Sequence, residues 1–146
     1  TLVLQSNPFI TSTILYAKPL YDPLTDFAPI SLLSTVPTAV SVHPSVPVHS
    51  VRELIAFARA RSGQLNYASS GNGASTHLAG LLFCQMTGVK MVHIPHKGSG
   101  PATTELLAGQ VQMRFSSIPP VLQHVRSGRL RALAVTSAKR FSLLSP

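Results

Sequence analysis

Apolar and polar positions follow two different patterns along the chain, and the change comes near residue 50. Before it, seven prolines interrupt the apolar stretches, so any helix there is expected to be brief. Three apolar runs, at residues 1–7, 28–33 and 36–42, are typical of strands. After residue 50 the apolar positions recur at helical and strand spacing in turn, which predicts a regular α/β segment.

Helices and strands alternate in this second segment. Ser50 and Glu53 have the spacing of a capping box, in which each side chain reaches the other's free backbone N–H. A glycine follows each predicted helix, as is typical of helix ends. The helices are expected between Ser50 and Gly63, from about Ser75 to Thr87, from a first turn around Pro101 to near Gly109, and from Pro119 to Gly128; the strands are expected at residues 64–69, 90–95, 111–115 and 130–136.

Strict alternation of strand and helix favours a largely parallel sheet with helices on its faces. Ligands of such sheets bind at the carboxyl ends of the strands, where a strand leads into a helix. The loops that follow the strands are therefore where a site is expected.

Two of these strand-to-helix loops share a design. Each has two glycines that allow close backbone approach, hydroxyl groups that donate hydrogen bonds, and a following helix whose first N–H groups are unpaired. Each could hold a carboxylate or another anion, and each is also consistent with an ordinary turn capped by serine. Two such loops in one sheet favour a site, whose candidate residues are Ser70, Asn72, Gly73, Ala74, Ser75, Thr76 and His77 in the first loop and Lys97, Gly98 and Ser99 in the second.

Most catalytic and cofactor chemistries lack their signatures in this sequence. Neither loop completes a dinucleotide fingerprint, and no Gly-Lys pair of a phosphate-binding loop occurs. The six histidines have no metal-ligand spacing, and Cys84 is the single cysteine, which favours a buried, inert thiol. His77 is equally consistent with capping, with packing and with ligand contact. The four acids suit turns and helices rather than an acid–base pair, so we predict binding without catalysis, metal or cofactor.

The chain is strongly basic, with 12 Lys and Arg against 4 Asp and Glu in 146 residues and a net charge of +8. Such a balance permits binding to nucleic acid or to an acidic surface. The cations are scattered, however, with no basic run of five residues and no aromatic stacking series. A basic interaction module is therefore kept as the alternative function.

Six characteristic segments stand in order along the chain, at residues 21–30, 42–47, 65–73, 77–80, 97–102 and 130–136. Together they resemble the Bug family, also called TctC, the periplasmic solute receptors of tripartite tricarboxylate transporters. The resemblance implies a periplasmic-binding-protein-like α/β fold (type II, Venus flytrap) that closes on a small carboxylate-bearing solute or a related amide and signals to membrane permease subunits. It implies one complete lobe at residues 42–133 and parts of the other lobe at 1–41 and 134–146, both ends being clipped.

The resemblance also implies which residues face the ligand. The two glycine loops match ligand-facing loops of the family, and Ser6 and Ser116 join them. After Phe115 the family often carries an acid, where this chain has Ser116. An amino-acid ligand is therefore less expected, while a plain carboxylate or an amide stays open.

Overall fold

The computed structural model of the chain describes residues 1–138. The α/β alternation predicted after residue 50 is confirmed, since four helices and four strands follow one another there. The elements are α1 Pro8–Leu15, β1 Thr38–Val42, α2 Val51–Ala60, β2 Asn66–Ser69, α3 Ser75–Thr87, β3 Val92–Pro95, α4 Ser99–Leu107, β4 Met113–Ser117, α5 Pro119–Arg126 and β5 Arg131–Val135.

The five strands form one mixed sheet in the order β3-β2-β4-β1-β5. Strand β2 runs parallel to both β3 and β4, whereas β1 runs antiparallel to β4 and β5. The sheet is thus mostly parallel, as predicted, with β1 as the strand of opposite direction. The carboxyl ends of β2, β3 and β4 consequently lie along one edge, and this edge carries both glycine loops.

Helices cover both faces of the sheet, because successive side chains of a strand point to opposite sides. Tyr67 lies on the face covered by α2 and α3, where it packs in a core with Leu54 and Phe115. The adjacent Ala68 lies on the other face, in a second core with Leu106 and Val121 from α4 and α5. These two cores fix the direction in which α3 and α4 leave the sheet.

The N-terminus of α2 is capped almost as predicted. The Ser50 hydroxyl accepts a hydrogen bond from the Glu53 N–H at 3.2 Å. The Glu53 carboxylate accepts from the N–H of His49 at 2.7 Å, one residue earlier than a capping box requires. The hydrogen bond from His49 N–H, together with the nearby Ser50 side chain, holds the pKa of the Glu53 carboxyl below its usual value.

The predictions of strands at residues 1–7 and 28–33 are wrong, because neither range forms a strand. The apolar side chains of both runs, such as Leu4 and Leu32, are 80% exposed. An apolar run becomes a strand only beside a partner strand, and Pro29, which lacks an N–H, disfavours pairing of the second run. The third run does form β1. The last residues of the predicted 134–146 segment, 139–146, lie outside the described residues.

Candidate functional site

The two glycine loops lie side by side at the carboxyl edge of the sheet. We call residues 70–76 the first glycine loop and residues 97–101 the second. Gly98 N–H donates to the Ser70 carbonyl at 3.2 Å, and His96 N–H donates to the Ser69 carbonyl at 3.2 Å. The parallel pairing of β2 with β3, which sets Ser69 opposite Pro95, produces this contact. The structure therefore brings together the two loops that the sequence singled out separately.

Thr76 and His77 hold the first glycine loop in shape from the start of α3. The buried Thr76 hydroxyl accepts from Ser70 N–H at 3.0 Å and lies 2.9 Å from the Ser70 hydroxyl. His77 Nδ1 accepts from Gly73 N–H at 3.1 Å. The contacts of His77 are those of a capping and packing residue, since its Nδ1 accepts from the loop and its ring stacks on His93.

The amide groups of the first glycine loop differ in availability. Gly73 N–H is taken up by His77, and Ala74 N–H donates to the Gly71 carbonyl. Ser75 and Thr76 are the first two residues of α3, where no intrahelical carbonyl reaches the N–H. Within the described residues no loop group takes up these two amides either. They are the donors of this loop that an anion could use.

The second glycine loop offers a similar pair of donors. Gly98, at φ +110°, has a backbone conformation that favours glycine, and its N–H is committed to Ser70. Ser99 and Gly100 open α4, and their N–H groups have no partner within residues 1–138. Lys97 is exposed beside them. Two helix N-termini thus begin at two adjacent loops, each with a partial positive charge.

The rings of His77, His93 and Tyr67 form a stack that joins the start of α3 to the sheet beside the first glycine loop. The ring centroids of His77 and His93 are 4.0 Å apart, and those of His93 and Tyr67 are 5.0 Å apart. His93 Nε2 lies 2.7 Å from the Ser69 hydroxyl. Burial, together with the neighbouring histidines, lowers the pKa of His93 to about 4, and burial lowers the pKa of His77. Both imidazoles are therefore neutral at pH 7.

Arg114 is the residue of this region that the sequence interpretation missed. It lies in β4 with no exposed surface, and one Nη atom donates to the Ser99 carbonyl at 3.0 Å and also to the Thr103 hydroxyl. Its signal in the sequence was a cation between Met113 and Phe115, two core residues of a strand covered on both faces.

The two outlying candidates have different surroundings. Ser116 is buried in β4, and its hydroxyl has no hydrogen-bond partner within the described residues. Ser6 is exposed just before α1, and no described contact joins it to either loop. It is Thr11 of α1 that reaches the first glycine loop, donating to the Gly73 carbonyl at 2.8 Å.

Other potential sites are less well developed. Residues 1–138 contain no group of three or more side chains suited to a metal ion, and none of their helices is long and apolar enough to span a membrane. Burial raises the pKa of the Cys84 thiol, which makes it a poorer nucleophile. A hollow of about 380 Å³ near Ile14 and Tyr21 is lined mainly by apolar side chains, and none of its lining residues belongs to either glycine loop.

Comparison with known proteins gives matches along most of the chain. The sequence profile of the tripartite tricarboxylate transporter family receptor matches residues 1–145. Protein BugT of Bordetella pertussis is 39% identical over 142 residues, which cover 96% of this chain and 44% of BugT. The structure of R. palustris Rpa4515 with adipate has a TM-score of 0.83 and 42% identity, over 89% of this chain and 44% of Rpa4515. The periplasmic binding protein BugD has a TM-score of 0.83 and 34% identity, over 92% of this chain and 45% of BugD.

The chain spans less than half the length of these relatives. Its likeness to them in three dimensions confirms the predicted fold class, a periplasmic-binding-protein-like α/β architecture with a mostly parallel sheet.

Proposed function

The chain belongs to the tripartite tricarboxylate transporter receptor family, and from this premise we propose that it binds a small carboxylate-bearing solute for delivery to such a transporter. The observation that carries the proposal is the meeting of the two glycine loops, joined by the hydrogen bond from Gly98 N–H to the Ser70 carbonyl. This contact sets the unpaired amides of α3 and α4 at one edge of the sheet.

The donor set suits a carboxylate. Ser75 and Thr76 offer two adjacent N–H groups at a helix N-terminus, and Ser99 and Gly100 offer a second pair. Such amides favour negative charge through both hydrogen bonding and the helix dipole. Adipate, the compound in the Rpa4515 structure, carries a carboxylate at each end, and a ligand of that kind has one group for each loop.

No acidic side chain forms a hydrogen bond with either glycine loop within the described residues, which disfavours a ligand that carries an amine. Ser116 and Ser41 are the buried polar neighbours on the sheet, and neither carries a charge that would bind an amine. We therefore propose a plain carboxylate, with a related amide as the other possibility, rather than an amino acid.

The proposed division into lobes places the boundary within two paired strands. Residues 42–133 form one lobe, and residues 1–41 and 134–146 belong to the other. The boundary crosses β1 and β5, which are hydrogen-bonded neighbours with Val40 opposite Ala134. Paired strands that cross between lobes suit a hinge, and closing of the lobes around the solute would supply the signal to the permease subunits.

Location and partners follow from the same premise. BugD is a periplasmic binding protein, and the family is one of receptors. We propose a periplasmic location, membrane permease subunits as partners, and binding without catalysis. The alternative, a basic module for nucleic acid or an acidic surface, has nothing beyond the net charge of +8 in its favour. Its cations are partly engaged elsewhere, as with Arg131, which donates to the carbonyls of Val46 and Val48.

A pair of proline variants tests the proposal. Ser75→Pro removes an N–H from the first position of α3, where proline is tolerated because its φ suits a helix start. Val51→Pro does the same at the start of α2, away from both loops. The residues before these positions, Ala74 and Ser50, are extended, as a following proline requires.

The measurement is calorimetric titration with adipate and with its neutral diamide, up to millimolar ligand. We expect the unmodified chain and Val51→Pro to bind adipate in preference to the diamide, and Ser75→Pro to bind adipate at least about fivefold more weakly, as loss of one hydrogen bond to a charged group implies. Equal binding of adipate by both variants, or no preference for the anion, would contradict the proposed function.

A further inference from the structure

Arg114 lies between the sheet and the first turn of α4. Its donation to the Ser99 carbonyl at 3.0 Å and to the Thr103 hydroxyl ties strand β4 to the start of that helix. Ser99 is both the first residue of α4 and a member of the second glycine loop. The side chain therefore supports the loop from its buried side.

The positive charge of Arg114 has no partner of opposite sign within the described residues. None of their carboxylates forms an ion pair with it. Its Nε and Nη2 atoms are buried and have no hydrogen-bond partner there. Burial lowers the pKa of Arg114 to about 10, so the side chain stays charged at neutral pH. An uncompensated buried cation is costly, and such groups are ordinarily retained beside an anion.

The polar groups around Arg114 are all neutral. Ser41 lies directly opposite it on β1, and Ser116 lies two residues further along β4, so the three side chains share one face of the sheet. Both serine hydroxyls are buried without a hydrogen-bond partner within residues 1–138. A cation, two hydroxyls and a helix N-terminus with no acid among them form surroundings that favour a negative charge.

We infer that Arg114 is a specificity-determining residue, which selects ligands that bring a second negative charge to the second glycine loop. Its hydrogen bonds hold the start of α4 in place. Its positive charge, which no acid neutralises within the described residues, lies on the buried side of that loop and attracts the anion. The inference rests on the proposed function, since it concerns the charge of the same solute.

Two ligands of nearly equal size separate charge selection from general binding. Adipate carries two negative charges at pH 7, and its monoamide carries one. The quantity of interest is the ratio of their affinities, measured by calorimetry. Arg114→Met removes the charge and keeps a side chain of similar length. We expect it to lower the adipate-to-monoamide ratio about tenfold, as removal of one nearby charge implies.

A second variant tests the charge while Arg114 stays in place. Ser116→Asp sets a carboxylate on the same face of β4 and neutralises the cation, so the ratio is again expected to fall about tenfold without a lower melting temperature. Gln110→Glu adds the same charge at an exposed position three residues beyond the end of α4 and is expected to leave the ratio within about twofold. If Arg114→Met fails to fold, Ser116→Asp carries the test.

The outcomes are distinguishable. A ratio that falls in Arg114→Met and Ser116→Asp but not in Gln110→Glu supports charge selection. Equal losses for both ligands in Arg114→Met, or an unchanged ratio in Ser116→Asp, overturn the inference and leave carboxylate binding intact. If the unmodified chain binds neither ligand, the proposed function fails and this inference fails with it.

Discussion

His77 and His93 lie face to face, with ring centroids 4.0 Å apart and ring planes 11° from parallel. His77 accepts from Gly73 N–H through Nδ1, which it can do only while that nitrogen carries no proton. The shape of the first glycine loop is therefore linked to the neutral state of two stacked imidazoles.

Because the two stacked imidazoles are neutral in the folded chain, the free energy of unfolding is expected to fall in acid. The pKa of His93 is about 4 in the folded chain against 6.5 for an unperturbed histidine, so the unfolded chain binds more protons between these values. Stability is therefore full above pH 6.5 and falls as the pH drops towards 4. With allowance for the partial exposure of the ring, we expect a loss of about 1 kcal/mol between pH 7 and pH 5.

Urea unfolding at pH 7 and pH 5 measures this effect. In His93→Gln the loss between the two pH values should be clearly smaller, because the titrating ring is gone. His124→Gln, which removes a histidine from α5, should behave as the unmodified chain does. The same pH dependence in His93→Gln and in the unmodified chain would rule out His93 as the source.

A larger residue at position 80 is expected to destabilise the packing of α3 against Tyr67, on the face of the sheet that also carries His93. A Cβ at this position would overlap Cε2 of the Tyr67 ring, and Tyr67 is itself buried in the core. Gly80→Ala is expected to destabilise the fold by about 2 kcal/mol through overpacking, and to lower the melting temperature.

Gly100→Ala is the matched control for that variant. Gly100 lies in the first turn of α4, and a Cβ there meets nothing within 4 Å. Thermal unfolding should show it as stable as the parent or about 0.5 kcal/mol more stable, because alanine favours helix. If Gly80→Ala were tolerated as well as Gly100→Ala, the described packing of α3 on Tyr67 would be wrong.

Removal of the Thr76 hydroxyl is expected to make the first glycine loop locally less stable. Thr76→Val keeps the shape of the side chain but leaves Ser70 N–H without its acceptor, at a cost of about 1–2 kcal/mol. Hydrogen exchange of the Ser70 amide should accelerate. Thr104→Val removes an exposed hydroxyl on α4 and should leave that exchange rate unchanged, whereas equal rates in both variants would contradict the hydrogen bond from Ser70.

Local rules predicted the regular part of the fold well. The helix from Ser75 to Thr87 has the predicted bounds and ends at Gly88, whose φ of +68° suits glycine. Strand formation depends on a partner elsewhere in the chain, so the prediction of a strand at 28–33 is wrong, whereas residues 38–42 of the next apolar run form β1. Sequence spacing gives no information on such partners.

The candidate site was predictable only in part. Each glycine loop could be found from its residue types and its position between a predicted strand and a predicted helix, and the contact between the two loops follows from the parallel pairing of β2 and β3. The Thr11 contact with Gly73 and the stacking of His77 on His93 join residues far apart in sequence. Arg114 carried a signal, a charge between two core residues, whose meaning depended on both faces of β4 being covered.

The central claim, that the two glycine loops form one carboxylate site, is tested most directly by the backbone amide NMR signals of the chain during titration with adipate. The account predicts shifts concentrated at the amides of Ser75, Thr76, Ser99 and Gly100, saturating together with one dissociation constant, and much smaller shifts with the neutral diamide. Shifts that spread over surface lysines and arginines, that affect one loop without the other, or that are equal for adipate and the diamide would contradict it.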